Sequence, residues 1–248
     1  MVAGSIVIVA RNNVEYTKAA VRTAIDQDVP CEVMVIDNCS ADGTMDWLKT
    51  RDVARFFNPV QLSLAACWNQ ALKIFWRIGC EEALVVNNDV ELRRDTYRLL
   101  RSHGGPFVTC ISVRNREEMG TVEDRHVPTL YATERPHPDF SCFLIRKEVT
   151  DRVGWFDEKY FPAFCEDCDY HVRMHRAGIR AVAVALPFVH HGSQTLRTAE
   201  SGERQRIERG AERNRERFRE IYGCRPGTPE YEKLFDEASF GKVLRMRA

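Results

Sequence analysis

Ser5-Ile-Val-Ile-Val-Ala-Arg-Asn12 is the stretch on which the fold turns. Its short, β-branched apolar run shows no polar alternation, so the strand it predicts is buried on both faces. It gives way to Arg11, Asn12 and Asn13, then to a helical pattern with Tyr16, Ala20 and Ala24 on one face. The same unit of strand, polar loop and helix recurs. Residues 32–36 read as a second buried strand, Asp37-Asn38-Cys39-Ser40 as its loop and 42–49 as a short helix. Residues 53–57 and 64–78 give a third strand and helix, and 83–86 a fourth strand ending in Asn87-Asn88-Asp89. Repeated βα units with wholly apolar strands predict a parallel sheet covered by helices on both faces. Ligands of such sheets bind beyond the carboxyl ends of the strands, and Asn12, Asp37 and Asp89 each closely follow one.

The alternation breaks in the second half. Residues 103–139 are rich in charge, Pro and Gly, and read as loops and short strands lining an acceptor cleft. Residues 140–145 form another buried strand, 147–153 a short helix and Gly154-Trp-Phe-Asp157 a turn. A helix over 167–177 stops at Gly178, and a strand over 180–186 leads to His190-His-Gly-Ser193. From 205 to 222, Ile207, Ala211, Phe218 and Ile221 recur among Arg and Glu, the pattern of an amphipathic helix packed on the domain. The Arg/Glu pairs at i,i+3 and i,i+4 suit a solvated face, and Arg197 and Arg204 are placed to swing over a polyanion.

At 248 residues the chain can bury a full core as one domain. Lys plus Arg and Asp plus Glu both number 36, so overall charge gives no reason to expect a nucleic-acid or acidic-lipid partner. No apolar segment approaches the roughly 20 residues of a membrane-spanning helix, and the amino terminus lacks the pattern of a secretory signal. Nine cysteines, odd in number and scattered through apolar runs, suit reduced core thiols. The expectation is a soluble, cytoplasmic protein.

Four separated pieces, in this order, resemble the family 2 glycosyltransferases: Ser5-Ile-Val-Ile-Val-Ala-Arg-Asn12, Val35-Ile-Asp-Asn-Cys-Ser-Ala-Asp-Gly-Thr44, Val85-Val-Asn-Asn-Asp-Val90 and Phe164-Cys-Glu-Asp-Cys-Asp169. Each alone is weak; their order and spacing, with Gly154-Trp-Phe-Asp157 before the last and His190-His-Gly-Ser193 after it, are specific. The resemblance covers about residues 5–195 and is nearest to rhamnosyltransferase-like branches. It implies an α/β, Rossmann-like GT-A fold with a mixed central sheet: a donor-binding half over about 1–102, an acceptor-binding half over 103–196, and a helical extension over 197–248 packed on the same domain. The family's Pro and aromatic before the first Asn are here Ala10 and Arg11, and its Asn-x-Gly segment is Asn58-Pro59-Val60.

The resemblance also implies a chemistry: inverting transfer of a hexosyl or deoxyhexosyl unit from a nucleotide-diphosphate sugar to an acceptor hydroxyl. The departing diphosphate gathers charge that a divalent cation, Mn²⁺ or Mg²⁺, stabilises. Asn87-Asn88-Asp89 stands where the family has Asp-x-Asp, which makes Asp89 the principal metal ligand. An Asx turn explains one such residue better than three in a row. His190 or His191 completes the metal site, with His190, two residues before Gly192, preferred. Asp167 is the expected base and Glu166 the acceptor-binding acid, though acids opening a helix also suit its dipole. Ala10, Asn12, Asp37 and Asn58 are expected around the nucleotide, and Arg173 either reaches the diphosphate or braces Asp169.

Two other readings compete. Cys165-x-x-Cys168-x-x-His171-x-x-x-His175 has the ingredients of zinc binding, which would make the chain an interaction module. A zinc finger needs about 12 residues between its ligand pairs, and two stand here. The other reading is a catalytically inactive nucleotide-sugar binder of the same fold, against which Asp89, Asp167 and His190 argue. The acceptor is left open between a glycan, a lipid-linked glycan, a protein and a hydroxylated base in DNA.

Overall fold

The structure, a computed structural model, describes residues 4–123, 130–132, 138–192 and 194–240. The first half follows the expected alternation: β1 (Gly4–Ala10), α1 (Val14–Ile25), β2 (Cys31–Asp37), α2 (Thr44–Lys49), β3 (Ala54–Phe57), α3 (Leu64–Arg77) and β4 (Glu82–Asn87). Then come β5 (Val90–Glu91), α4 (Thr96–His103), β6 (Phe107–Val113), α5 (Arg116–Glu123), β7 (Leu130–Ala132) and β8 (Cys142–Arg146). The rest is α6 (Lys147–Val153), α7 (Glu166–Arg176), β9 (Val182–His190), α8 (Gln194–Thr198), α9 (Ser201–Tyr222) and α10 (Pro229–Glu232), with a 3₁₀ turn at Lys233–Phe235.

Among the described residues the strands form one sheet in the order β3-β2-β1-β4-β8-β6-β9-β5, with β7 added on β9. Strands β3, β2, β1 and β4 are parallel, and β8 enters antiparallel to β4. The sheet is therefore mixed. Neighbouring residues of β1 point to opposite sides, as strand geometry demands. Val7 and Val9 join Met34, Ile36 and Val85 in a core closed by Trp68, Leu72 and Phe75 of α3 and Tyr170 and Met174 of α7. Ile6, Ile8, Val33, Val35 and Val86 face a second core closed by Ala20, Val21 and Ala24 of α1, Leu48 of α2 and Leu100 of α4. Each large apolar side chain so buried contributes roughly 1.5–3 kcal/mol, which is why these strands carry no polar face. The edge strand β3 has little cover, and exposes Arg55 and Phe56.

Two expectations need correction. The segment 103–139 contains β6, a seven-residue strand paired to both β8 and β9 inside the sheet. Its Phe107, Val108 and Cys110 are core residues whose run was obscured by the charged and glycine-rich flanks. On α9, Ile207, Ala211 and Phe218 are buried as expected, whereas Ile221 is exposed and Gly210 and Asn214 take places on the buried face. Ser193 and residues 241–248 lie outside the described residues.

α9 lies close against the loop before α7. A Cβ at Gly210 would stand 2.4 Å from Pro162 Cδ and 3.1 Å from the Phe161 carbonyl. A methyl group there has to push the backbone apart, so Gly210→Ala is expected to lower stability by about 1–3 kcal/mol despite its better helix propensity. Urea midpoints of the two proteins check this; an unchanged or higher midpoint for the alanine variant would show that the contact yields freely.

Candidate active site

β4 ends in Asn87, and Asn88-Asp89 make the turn into β5. The short β5 runs antiparallel to the end of β9, pairing Val90 with His190 and Glu91 with Val189. The amide of His191 donates to the Asp89 carbonyl at 3.0 Å. This register sets His190 Nε2 3.5 Å from Asp89 Oδ1. Asp89 also accepts from the Gln194 amide at 3.4 Å, where α8 begins. Burial works to raise the Asp89 pKa, but the hydrogen bond and charge of His190 and the Gln194 amide outweigh it, and the carboxyl is held below its usual value. For His190 burial works downward and is overcome by Asp89 and Asp139, so the imidazole is held above its usual range.

On the opposite wall, α7 opens with Glu166 and Asp167. The turn that leads into it is strained: Phe164 and Cys165 have φ of 79° and 72°. Left-handed backbone at non-glycine residues costs on the order of 1–3 kcal/mol each and persists where the surroundings impose it. Asp167 Oδ1 accepts from the Cys168 amide at 2.8 Å. Glu166 is buried, and its Oε2 has no partner. Burial first, and the adjacent Asp167 charge second, push its pKa well above the usual glutamate value. The two acids thus differ in setting: Glu166 is buried and pushed toward its protonated form, while Asp167 accepts from a backbone amide at the first turn of α7.

Both walls line one cavity of about 650 Å³. Asn87, Asn88, Asp89 and His190 face Glu166 and Asp167 across it, with Trp68, Phe140 and Phe164 among the aromatic wall. Arg11, Asn38 and Gln61 line it too. Asn88 is also a brace, donating through Nδ2 to the Asn12 carbonyl and to Thr17 Oγ1, both at 3.0 Å.

The remaining candidates fall elsewhere. His191 lies off the cavity lining, with Nε2 3.0 Å from Glu91 Oε1 and its ring 4.8 Å from that of Tyr16. Ala10, Asn12, Asp37 and Asn58 are not among the residues that line the cavity, and tie loops together. The Asn38 amide donates to the Ala10 carbonyl at 2.7 Å, the Ala41 amide to Asn12 Oδ1 at 2.8 Å, and the Asn58 amide to the Asp37 carbonyl at 2.9 Å. Asp37 is buried with Oδ1 unpaired, and burial is the main cause of its raised pKa. Arg173 does not line the cavity: it pairs with Asp169 at 2.8 Å and lies over the Tyr170 ring.

Sequence reading passed over Arg11 and the partners of α9. Arg11 donates to the carbonyls of Asn38 and Cys39 at 3.0 and 2.8 Å and pairs with Glu203 of α9. Arg197 and Arg204, by contrast, are outside the cavity lining, and Arg204 pairs with Glu208. The zinc reading fails on geometry. His171 stacks on Phe235, His175 bonds to Asp236 and Ser239, and Cys165 and Cys168 pack in an apolar cluster with Phe218 and Tyr231. Burial, then the charges of Asp167 and Glu166, push the Cys165 thiol up to about 12.

A divalent cation fits the other wall. Among the described residues no three His, Cys, Asp or Glu side chains form a closed metal cage. Asp89 and His190 offer one carboxylate and one imidazole on the cavity, an open donor set of the kind completed by water and substrate oxygens.

Residues 5–75 match the model of Glycosyl transferase family 2. No curated protein matches the chain. Among solved structures, the mannosyltransferase PcManGT from Pyrobaculum calidifontis, in complex with GDP-Man and Mn²⁺, is similar over 100% of this chain and 71% of its own, with 19% identity and TM-score 0.60. S. aureus TarS is similar over 96% of this chain and 50% of its own, at 15% identity and TM-score 0.60. GalNAc-T7, with UDP, GalNAc and Mn²⁺, is similar over 77% of this chain and 44% of its own, at 14% identity and TM-score 0.59. The chain thus spans half or less of the latter two. Its fold is the GT-A fold.

The buried Glu166 gives a signed pH prediction. A carboxyl whose folded pKa is raised favours the folded state fully below its ordinary value of 4.5, and that contribution is lost as pH rises toward the folded value. Glu166→Gln removes this titration, so between about pH 4 and pH 9 the melting temperature of the wild type should fall relative to the variant. Parallel curves would show that Glu166 titrates as an ordinary glutamate.

Proposed function

We propose that this chain, with its GT-A fold and the family 2 signature over residues 5–75, is a metal-dependent inverting glycosyltransferase. It moves a hexosyl or deoxyhexosyl unit from a nucleotide-diphosphate sugar to an acceptor hydroxyl. The observation that carries the reading is the joint lining of one cavity by Asp89 and His190 on one wall and Glu166 and Asp167 on the other. Two of the similar structures hold Mn²⁺ with a nucleotide sugar or its parts, which supports the same ligand class here. We read residues 1–102 as the donor half, 103–196 as the acceptor half and 197–248 as the extension. The cysteines, all free among the described residues, accord with a reducing, cytoplasmic setting. No described helix is long and apolar enough to cross a membrane.

Asp89 and His190 would hold the cation, whose chemistry is to offset the charge on the departing diphosphate. Asp167 accepts the proton of the acceptor hydroxyl as its oxygen forms a bond to the anomeric carbon. The bond from that carbon to the diphosphate breaks, the electron pair leaves with the nucleotide, and configuration inverts. Glu166, protonated, donates a hydrogen bond to an acceptor oxygen. The aromatic wall of Trp68, Phe140 and Phe164 keeps this end of the cavity poor in water.

The test is a panel of UDP-, dTDP- and GDP-sugars, each assayed for metal-dependent donor hydrolysis and for transfer to glycan, lipid-linked and hydroxylated-base acceptors. Asp167→Asn should keep donor affinity within a few-fold and lower turnover by at least about 10²-fold. Asp89→Asn should abolish the metal dependence of donor binding with its polar packing kept. Turnover equal to wild type in Asp167→Asn removes it from the chemistry, and donor binding that ignores metal in the wild type overturns the proposed cation site.

A further inference from the structure

The position of Asp167 is set from a distance. The loop before α7 reaches the cavity through two left-handed residues, Phe164 and Cys165, and neither is glycine. The two carbonyls on its approach, of Ala163 and Phe164, both accept from one side-chain amide. Asn214 Nδ2 of α9 donates to them at 2.8 and 3.1 Å, and Asn214 is 3% exposed. The next carbonyl, of Cys165, already accepts from the Asp169 amide at 2.9 Å as the first bond of α7. Asn214 therefore fixes the peptides between which the chain reverses and α7 begins.

The reach is built into α9. Gly210, one turn earlier on the same face, has no side chain to hold the helix off Pro162. Further along the helix, the Tyr222 hydroxyl donates to Asp169 Oδ1 at 2.7 Å, the carboxylate that Arg173 also holds. α7 is thus gripped at its entry and one residue pair beyond Asp167. We propose that Asn214 is the positioning residue for the catalytic base: its amide holds residues 163–165 in the left-handed turn that aims Asp167 at the acceptor. This rests on Asp167 being the base.

The test uses the full chain with Asn214→Ala and Asn214→Asp, the latter of equal size but without the donor. Ala211→Gly serves as a control that weakens α9 through helix propensity while leaving the Asn214 amide in place. A displaced base lowers kcat and leaves donor binding alone, since misplacement by about 1 Å can cost up to about 100-fold. Both Asn214 variants should therefore lose about tenfold to 100-fold in kcat, with donor KM within about twofold and the pH of half-maximal rate shifted. Ala211→Gly should keep the wild-type rate. Amide exchange across residues 163–169 should quicken in the Asn214 variants, while the distal turns of α9 stay protected. Unchanged kcat, or an equal loss in Ala211→Gly, overturns the proposal. If the wild type neither hydrolyses nor transfers any donor, the functional reading has failed. The exchange measurement then still decides whether Asn214 holds the turn, and unchanged protection across 163–169 refutes it.

Discussion

Two residue pairs, Val90 with His190 and Glu91 with Val189, hold the Asp89 wall of the cavity in register. Side chains alternate along a strand, so a slip of one residue between β5 and β9 exchanges the roles of adjacent histidines. In the register found, His190 turns to Asp89 and the cavity, while His191 turns to Glu91 and Tyr16. His191 and Arg116 then share Glu91, whose pKa they lower against the upward pull of burial. A strand of two residues thus depends on the side-chain pairs flanking it, and the choice between two neighbouring imidazoles is made by backbone geometry.

Opposite environments give the acids of the cavity opposite charge states. Asp89 is buried but supplied with an imidazole and an amide, which keep it ionised. Glu166 is buried with one oxygen unpaired and the charge of Asp167 beside it, which push it toward its protonated form. Cation ligation needs the first state and hydrogen-bond donation to a substrate oxygen needs the second.

The strands of the first half were legible because burial on both faces leaves an unmistakable run of branched residues, as in 6–10 and 33–36. Asp89, Glu166 and Asp167 were legible too, because each sits where an element begins or ends. β6 was not, since its flanks resemble a loop and its partners β8 and β9 are distant in sequence. The preference for His190 over His191 rested on its place two residues before Gly192, whereas the β5–β9 register that turns it to Asp89 is visible only in the folded sheet. Arg173 was open by position between the diphosphate and Asp169, and the i,i+4 carboxylate of Asp169 holds it on the helix. The placement of Asn12, Asp37 and Asn58 off the cavity lining follows from backbone bonds among three loops that only the folded sheet brings together. Gly210 and Asn214 carried one signal that was passed over: in a helix of Arg and Glu, a glycine and an asparagine four apart interrupt the charge on one face.

The grip of α9 on residues 163 and 164 has a consequence for synthesis. A chain made from its amino terminus completes β1 to β4, and with them Asp89, well before residues 201–222 emerge. During that interval the end of β4 can form, while His190 of β9 and the turn that carries Asp167, with Asn214 and Tyr222 to hold it, are still to come. Both walls of the proposed site are therefore completed together, late in synthesis, and an unfinished copy holds neither a finished cation site nor a positioned base.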